Sequence, residues 1–318
     1  MQFRTQIPIS KSSQPIGYNS KVVSLGSCFA VNIAEKFNYF KFQTATNPFG
    51  IIFNPVSIEK IVKRIVEQNS FTENDVFFAN GRWHCFEVHS ELSHPNKEVF
   101  LSSLNDLIQS THQQLNDATH IIITYGTSWV YREKEQYEVV ANCHKLPQKQ
   151  FDKDLLSVER IEKAIHNTID LIKKINPNCN FIFTVSPVRH IKDGFVENQI
   201  SKAHLISALH QVLEVPPLGA EGAYFPSYEI MMDDLRDYRF YAPDMLHPNQ
   251  TAIDYIWKLF AEAYFSAETF STMNAIENIQ KSLQHRPFDE NGLEHQKFLS
   301  QLQDKIKSVE AKFPHIRF

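Results

Sequence analysis

The sequence predicts an α/β protein in which helices cover both faces of a mainly parallel five-stranded sheet. Short apolar runs rich in β-branched and aromatic residues alternate with longer segments of helical period, as they do in consecutive βα units. Hydrophobic residues make up 42% of the 318 residues and charged residues 21%, which is enough to form a large core and excludes disordered or collagen-like classes. We therefore expect one main domain with additions to it.

The strands are expected at five short apolar runs, which cover residues 21–26, 42–46, 120–125, 180–185 and 223–228. One covering helix is predicted by isoleucines that recur every three or four residues and stop before Pro177, namely Ile161, Ile165, Ile169, Ile172 and Ile175. A second helix is expected to begin after Pro248, because proline suits a helix start and an apolar stripe follows it: Ile253, Ile256, Trp257, Phe260 and Tyr264.

Two aromatic-rich stretches interrupt this alternation, and we expect each to form a hairpin at the edge of the sheet. They cover residues 77–92, where Asn80-Gly81 predicts a turn, and residues 130–144. After residue 267 the strand signal ends, and an apolar stripe of helical period follows at Leu299, Leu302, Ile306 and Val309. The prediction is a main domain over residues 1–266 and a helical C-terminal extension over 267–318 that packs on it.

Charge and cysteine usage narrow the classes of function. A net charge of −4 and a pI near 6.4, without clustered Lys and Arg, predict neither nucleic acid nor an anionic membrane as a partner. Because there is no signal-peptide pattern and no run of about 18 apolar residues, we expect a cytoplasmic location. The four cysteines are expected to be reduced, their spacing from histidines fits no standard zinc pattern, and no cofactor is predicted. The oligomeric state stays open.

The first candidate for chemistry directly follows the first predicted strand, in the segment VVSLGSCFA. Ligands of a parallel α/β sheet bind at the carboxyl ends of its strands, so residues at this turn face the expected site. Ser27 and Cys28 are consecutive nucleophile candidates at the start of a helical run, where backbone N–H groups suit oxyanion stabilisation. The alternative is that Cys28 is a buried packing residue, since free cysteine is often buried.

The second candidate is the pair Asp244 and His247 in YAPDMLHPNQ, which leads into the helix after Pro248. A general base needs an acidic partner to hold its tautomer, and this spacing can bring both side chains to one site. Two glycine-bearing loops, around Gly50 and Gly126, also follow predicted strands. Only nine glycines occur in the chain, so their position at this edge suggests close approach of backbone to a substrate oxygen, although each could be an ordinary turn.

These residues carry a resemblance that covers nearly the whole chain. The string Gly26-Ser27-Cys28-Phe29-Ala30 is the motif after which the GSCFA family is named, and NPFGIIFNP, GTSWVY, ANCHK, SPVRH and DMLHP resemble its other signature segments in order. GSCFA proteins resemble a branch of the SGNH (GDSL-type) hydrolases. The resemblance implies a flavodoxin-like three-layer α/β/α sandwich and ester hydrolysis or acyl transfer, often on acetylated carbohydrates.

The same resemblance assigns roles to individual residues. Cys28 stands where the superfamily has its nucleophilic serine and Ser27 where it has aspartate, so Cys28 is favoured and Ser27 is the alternative. A neighbouring histidine and a helix N-terminus are expected to lower the pKa of the Cys28 thiol. For the oxyanion, Gly50 fits one expected donor, Ser128 replaces the usual asparagine, and Asn142 is a possible substitute for it.

Further polar residues are expected at the same edge of the sheet. The candidates for binding substrate are Gly126, His144, Arg189 and His190, and a salt bridge between Arg189 and Glu229 is the alternative for the arginine. The resulting hypothesis is an esterase or acyltransferase that acts on an acylated glycan or small ester through a covalent acyl-enzyme. Its rival is a glycan- or metabolite-binding module whose catalytic activity has decayed, because two of the superfamily blocks are altered.

Overall fold

The computed structural model describes residues 5–214, 222–285 and 292–318. Strands in this part of the chain are β1 (Lys21–Gly26), β2 (Gln43–Thr46), β3 (Phe77–Ala79), β4 (Arg82–His84), β5 (His120–Tyr125), β6 (Trp129–Glu133), β7 (Val139–Val140), β8 (Phe151–Leu155), β9 (Asn180–Val185) and β10 (Gly222–Phe225). The helices are α1 (Cys28–Tyr39), α2 (Pro55–Val66), α3 (Lys97–Asp117), α4 (Val158–Ile175), α5 (Phe195–Glu214), α6 (Ser227–Glu229), α7 (Gln250–Tyr264), α8 (Ala267–Leu283) and α9 (Leu293–Lys312).

Five strands form one sheet in the spatial order β2-β1-β5-β9-β10, and all neighbouring pairs in it are parallel. Counted along the chain, this is the 2-1-3-4-5 order of flavodoxin-like folds. The order reverses between β1 and β5, where Val22 pairs with His120, and ligand sites of such sheets lie at the carboxyl ends on either side of this point. The predicted α/β fold class is confirmed.

Helices cover both faces of the sheet and bury two apolar clusters. One cluster joins the sheet to α2, α3, α4 and α5, with Ile121, Phe181 and Phe183 at its centre. The other joins it to α1, α7, α8 and α9 through Phe37 and Phe260 among others. The predicted isoleucine stripe of α4 lies in the first cluster, because residues three or four apart fall on one face of the helix in successive turns.

Side chains that cap N-termini fix where several helices begin. Asn54, Asn96, Ser157 and Asn249 each accept a hydrogen bond from a backbone N–H in the first turn of α2, α3, α4 and α7, respectively. Helix α7 therefore begins at Gln250 rather than directly after Pro248. The proline lies before the cap and pairs with Tyr241 in an isolated bridge.

The two inserted stretches differ from the predicted edge hairpins. Strands β3 and β4 do form an antiparallel hairpin across Asn80-Gly81, but it ends at His84 instead of 92. Strands β6 and β7 form the second hairpin, and β8 adds a third strand that was not predicted. Within the described residues neither group pairs with the main sheet, and each forms a small antiparallel sheet of its own. The insertions are therefore hairpins as predicted, but they do not extend the main sheet.

The last predicted strand, over residues 223–228, extends three residues beyond the end of the observed strand β10 (Gly222–Phe225). Strand β10 ends at Phe225 because Pro226 has no N–H to donate to a neighbouring strand, and Tyr228 lies in the short helix α6 instead.

The C-terminal region is helical, as the apolar stripe predicted. Helices α8 and α9 pack on each other, and Leu302 and Val309 of α9 are buried in the same cluster as α1 and α7. In α8, Gln280 donates a hydrogen bond to the carbonyl of Tyr39 at the end of α1. Residues 286–291 of the predicted extension lie outside the described part. In the described residues, no helix combines the length and the apolar character needed to cross a bilayer.

The end of β1 approaches β5 too closely for any side chain. Gly26 has a φ of +132°, and a Cβ built on it would lie 2.1 Å from the carbonyl oxygen of Thr124. This distance is far inside van der Waals contact, and the clashing atom belongs to the backbone of a central strand. Only glycine fits this position.

We expect Gly26→Ala to lower the free energy of unfolding by about 3 kcal/mol or more, because it adds a backbone clash to a strained φ. Gly81→Ala is the matched control, since Gly81 also has a positive φ (+77°) but no atom within 4 Å of the added Cβ. In the control, the free energy of unfolding should fall by about 1 kcal/mol. Urea unfolding of both variants measures the difference, and equal losses would contradict the clash.

Candidate active site

The turn between β1 and α1 is held by two hydrogen bonds from outside it. Gly26 N–H donates to Oδ1 of Asn47 at 2.7 Å, and Ser27 N–H donates to the Thr124 carbonyl at 2.9 Å. Asn47 follows β2 and has a left-handed φ of +44°, which aims its short side chain back at the turn. The ends of β1, β2 and β5 thereby meet at the start of α1.

Ser27 and Cys28 differ in accessibility. Ser27 is the N-cap of α1, is fully buried, and its hydroxyl has no partner in the described residues. Cys28 is the first residue of the helix and is partly exposed. The Ser27 hydroxyl is therefore closed to a molecule from solvent, whereas Cys28 keeps part of its surface exposed.

The Cys28 thiol is not the low-pKa thiol that its helix position suggested. Burial raises its pKa and outweighs the lowering effects of the Lys202 ammonium and of hydrogen bonds from the N–H groups of Cys28 and Phe29. The expectation of a lowered pKa was therefore wrong. At neutral pH the thiol is protonated, so a nucleophilic Cys28 needs a base to remove its proton.

Asp244 and His247 form a preorganised pair on the loop before α7. Oδ2 of Asp244 lies 2.6 Å from Nδ1 of His247, while Oδ1 accepts the backbone N–H groups of Leu246 and His247. These N–H groups and the imidazole lower the pKa of Asp244 to about 2. An ionised carboxylate only accepts, so Nδ1 carries the proton and Nε2 is left as the basic nitrogen.

The pair is open to solvent, with both side chains a little under half exposed. No hydrogen bond joins Cys28 to His247 within the described part of the chain. Catalytic hydrogen bonds are often long in unliganded sites and tighten when substrate binds. The site therefore combines a partly exposed Cys28 with a more exposed Asp244–His247 pair at one edge of the sheet.

Arg189, which follows β9, ties this loop to the sheet. Its backbone N–H donates to the Leu246 carbonyl at 3.2 Å, and its guanidinium donates to the Met245 carbonyl. The guanidinium carbon also lies 4.6 Å from the centre of the Tyr241 ring, over its face. In the described residues it forms no salt bridge with Glu229, which instead accepts from the hydroxyl of Tyr224 at 2.7 Å. Arg189 therefore holds the His247 loop in place, and in the described residues it is not paired with a carboxylate.

His190 is the next residue and faces the same region. Burial lowers its pKa to about 3, with smaller contributions from the positive charges of Lys202 and His247. Its ring packs edge-on against the ring of Phe53, with 5.6 Å between the two ring centres. Its buried Nε2 has no hydrogen-bond partner in the described residues. His190 is therefore a neutral imidazole within electrostatic range of Lys202 and His247.

Two of the three oxyanion candidates already donate to internal acceptors. Gly50 N–H donates to the Asn47 carbonyl at 2.7 Å, and the Ser128 hydroxyl donates to the Ser201 carbonyl at 3.0 Å. Asn142 is held by its Oδ1, which accepts the N–H of His144, and this bond leaves its Nδ2 donor unused. None of these bonds reaches Cys28. The donors that do reach its sulfur are the N–H groups of Cys28 and Phe29.

Two of the predicted substrate-binding residues have internal roles. Gly126 N–H donates to the Phe53 carbonyl at 2.7 Å, and its own carbonyl accepts from Lys202. His144 is 2% exposed, and its Nε2 lies 2.7 Å from the carbonyl oxygen of Cys85 in the region of the small sheets. Neither presents a free polar group to the Cys28 turn.

Asn47 and Lys202 were missed by sequence reasoning. Asn47 directly follows a predicted strand, which is a usable signal. Lys202 lies three and seven residues before Leu205 and Leu209, two buried residues of α5, so helical period alone places it on the buried stripe. In the described residues, no group of three or more His, Cys, Asp or Glu side chains is arranged to hold a metal ion.

The sequence comparisons agree with this architecture. The family described as GSCFA matches residues 21–260, which is more than half of the chain and spans Cys28, Lys202 and His247. A second match, described as the C-terminal domain of GSCFA domain proteins, covers residues 276–318 and so includes α9. The protein belongs to the GSCFA family. No curated protein matches it.

We expect iodoacetamide to alkylate Cys28 with a pH midpoint above the usual thiol value of about 9, because burial opposes the thiolate. Peptide mass spectrometry across pH measures the rate. Cys143 is an internal reference, since it is also partly exposed and burial raises its pKa to about 11. A Cys28 midpoint well below 8.5 would contradict a neutral thiol.

Proposed function

We propose that this GSCFA protein is an esterase or O-acyltransferase that forms a covalent acyl-enzyme on Cys28. The observation that carries the proposal is the placement of a partly exposed thiol at a helix N-terminus, on the sheet edge that also holds the Asp244–His247 pair. A nucleophile, a base and an acid that orients the base are the parts that acyl transfer requires. The sequence blocks that resemble SGNH hydrolases support the same reaction class.

In the first half-reaction His247 Nε2 takes the thiol proton as Cys28 Sγ attacks the carbonyl carbon of the ester. The negative charge on the carbonyl oxygen is stabilised by the N–H groups of Cys28 and Phe29 at the start of α1. When the C–O bond breaks, His247 returns the proton to the leaving alcohol, and the acyl group stays on sulfur as a thioester.

In the second half-reaction water or a substrate hydroxyl replaces the alcohol. His247 removes its proton, the new oxygen attacks the thioester carbon, and the Cys28 thiolate leaves and is reprotonated by His247. Asp244 stays ionised throughout and stabilises the imidazolium that forms twice in the cycle. Water gives hydrolysis, and a sugar hydroxyl gives acyl transfer.

The proposed substrate is an acylated carbohydrate or a small ester. The open position of Asp244 and His247 suits a substrate that approaches from solvent and covers the pair as it binds. Acetyl esters of sugars are the substrates that the resemblance to SGNH hydrolases favours.

A binding module is the second candidate, and two features of Cys28 favour it. The raised pKa of Cys28 and its lack of a hydrogen bond to His247 are what a decayed site would also have. This candidate requires ligand binding without turnover.

Cys28→Ala is expected to reduce hydrolysis of p-nitrophenyl acetate at least about 10³-fold, because the attacking atom is lost. Ser27→Ala should retain most of the activity, because its hydroxyl is buried beneath the turn. Cys143→Ala controls for loss of a partly exposed thiol elsewhere. Equal activity of the Cys28 variant and the wild type would sink the mechanism.

Asp244→Asn should lower kcat by about 10²–10⁴-fold with little change in KM, because it removes the charge that holds the Nδ1–H tautomer. His247→Ala should be at least as impaired. Steady-state kinetics measure both variants. A loss confined to KM would show that the pair binds substrate and does no proton transfer.

A further inference from the structure

Helix α5 carries a lysine in the protein interior. Lys202 is 1% exposed and lies on the buried side of the helix with Leu205 and Leu209. Burying an ammonium group is costly unless hydrogen bonds compensate for the lost water. Its position therefore needs a physical reason, and the proton transfers proposed above do not use it.

The Nζ atom donates to two carbonyl oxygens, those of Gly126 and Ser186, each at 2.7 Å. These residues directly follow β5 and β9, which are neighbours in the sheet. The ammonium thus joins the carboxyl ends of two central strands. In the described residues no carboxylate oxygen lies within 4 Å of it, so its charge is solvated by dipoles but not neutralised by an ion pair.

One of the two carbonyl groups bound by Lys202 lies beneath the turn between β1 and α1, which leads into Cys28. A Cβ built on Gly126 would be 3.2 Å from Cβ of Ser27, so the carbonyl partner of Lys202 packs against the residue before Cys28. Lys202 and Cys28 also interact electrostatically. The ammonium lowers the pKa of the thiol, and the thiolate raises the pKa of the lysine, which burial lowers to about 7. Each charged form therefore favours the other.

The remaining groups around Lys202 come from α6 and from the loop after β9. The Tyr228 ring lies 5.5 Å from Nζ and its hydroxyl pKa is raised by burial, so it is neutral. His190 is neutral because burial lowers its pKa. Glu229 contributes a more distant negative charge, which also raises the pKa of Lys202.

We propose that Lys202 is a positioning residue that joins the ends of β5 and β9 beneath Cys28 and supplies the positive charge that stabilises the Cys28 thiolate. Its effect on the thiolate does not depend on turnover. Its effect on ester chemistry rests on the proposed function, because the same charge would also stabilise the thiolate as a leaving group in the second half-reaction.

The test is the pH profile of Cys28 alkylation by iodoacetamide in Lys202→Gln and Lys202→Met. Loss of the positive charge should raise the thiol pKa by about one unit at pH values below about 7, where Lys202 is charged. Alkylation should therefore slow about tenfold in both variants below pH 7, and the rates should approach the wild-type rate at higher pH, where the lysine is neutral. Gln keeps an N–H donor for one carbonyl and Met keeps none, which separates the charge from the hydrogen bonds. Lys192→Gln removes an exposed charge from the same loop region and should leave the profile unchanged.

An unchanged profile in a folded Lys202→Gln protein would overturn the proposal, and so would an equal shift in Lys192→Gln. If neither Lys202 variant folds, the wild-type profile decides. Just above pH 7, where Lys202 loses its charge, the alkylation rate of Cys28 should rise by much less than tenfold per pH unit, and a single ionisation curve without this step would refute the coupling. Because neither readout uses an ester, a protein without esterase activity still tests the role of Lys202.

Discussion

The site depends on one close approach between two strands. Because Gly26 has no side chain, the end of β1 can pass against the carbonyl of Thr124, and the next residue can donate its N–H to that same oxygen. The side chain of Asn47 then closes the turn from the β2 side. With the chain held in this way, α1 starts at a fixed place and direction, with Cys28 in its first turn and Ser27 sealed below.

The charged and titratable groups near this turn are buried on one side of it and open to solvent on the other. Below it, the buried Lys202 faces carbonyl oxygens, and burial favours neutral forms of Cys28 and His190. Above it, the Asp244–His247 pair is open to solvent and Asp244 is held ionised by the backbone of its own loop. In the proposed mechanism, a proton removed from the thiol would have a base on the solvent side, and the thiolate would have a stabilising charge on the buried side.

The sequence predicted more of the fold than of the candidate site. Apolar runs and the isoleucine stripe of α4 located the sheet strands and this helix, because both patterns are local. The end of β10 was missed although Pro226 marks it. Strand β8 was missed because its pairing with β6 joins residues that are 18 to 26 positions apart in the chain. Asp244 and His247 were found as a pair because a short loop carries both, whereas Lys202 lies on α5, which was not among the predicted helices.

By itself, the sequence determined the alternation of strands and helices, the place of Gly26 at the end of a strand, and the residues that start helix α1. Periodicity, capping and turn preference act over a few residues, and these are readable without a structure. Tertiary structure alone decided the burial of Ser27, the raised pKa of Cys28, and the engagement of Gly50, Ser128 and Asn142 with internal partners. Burial and hydrogen-bond competition depend on groups that are distant in the chain and become neighbours only when the sheet and its covering helices assemble.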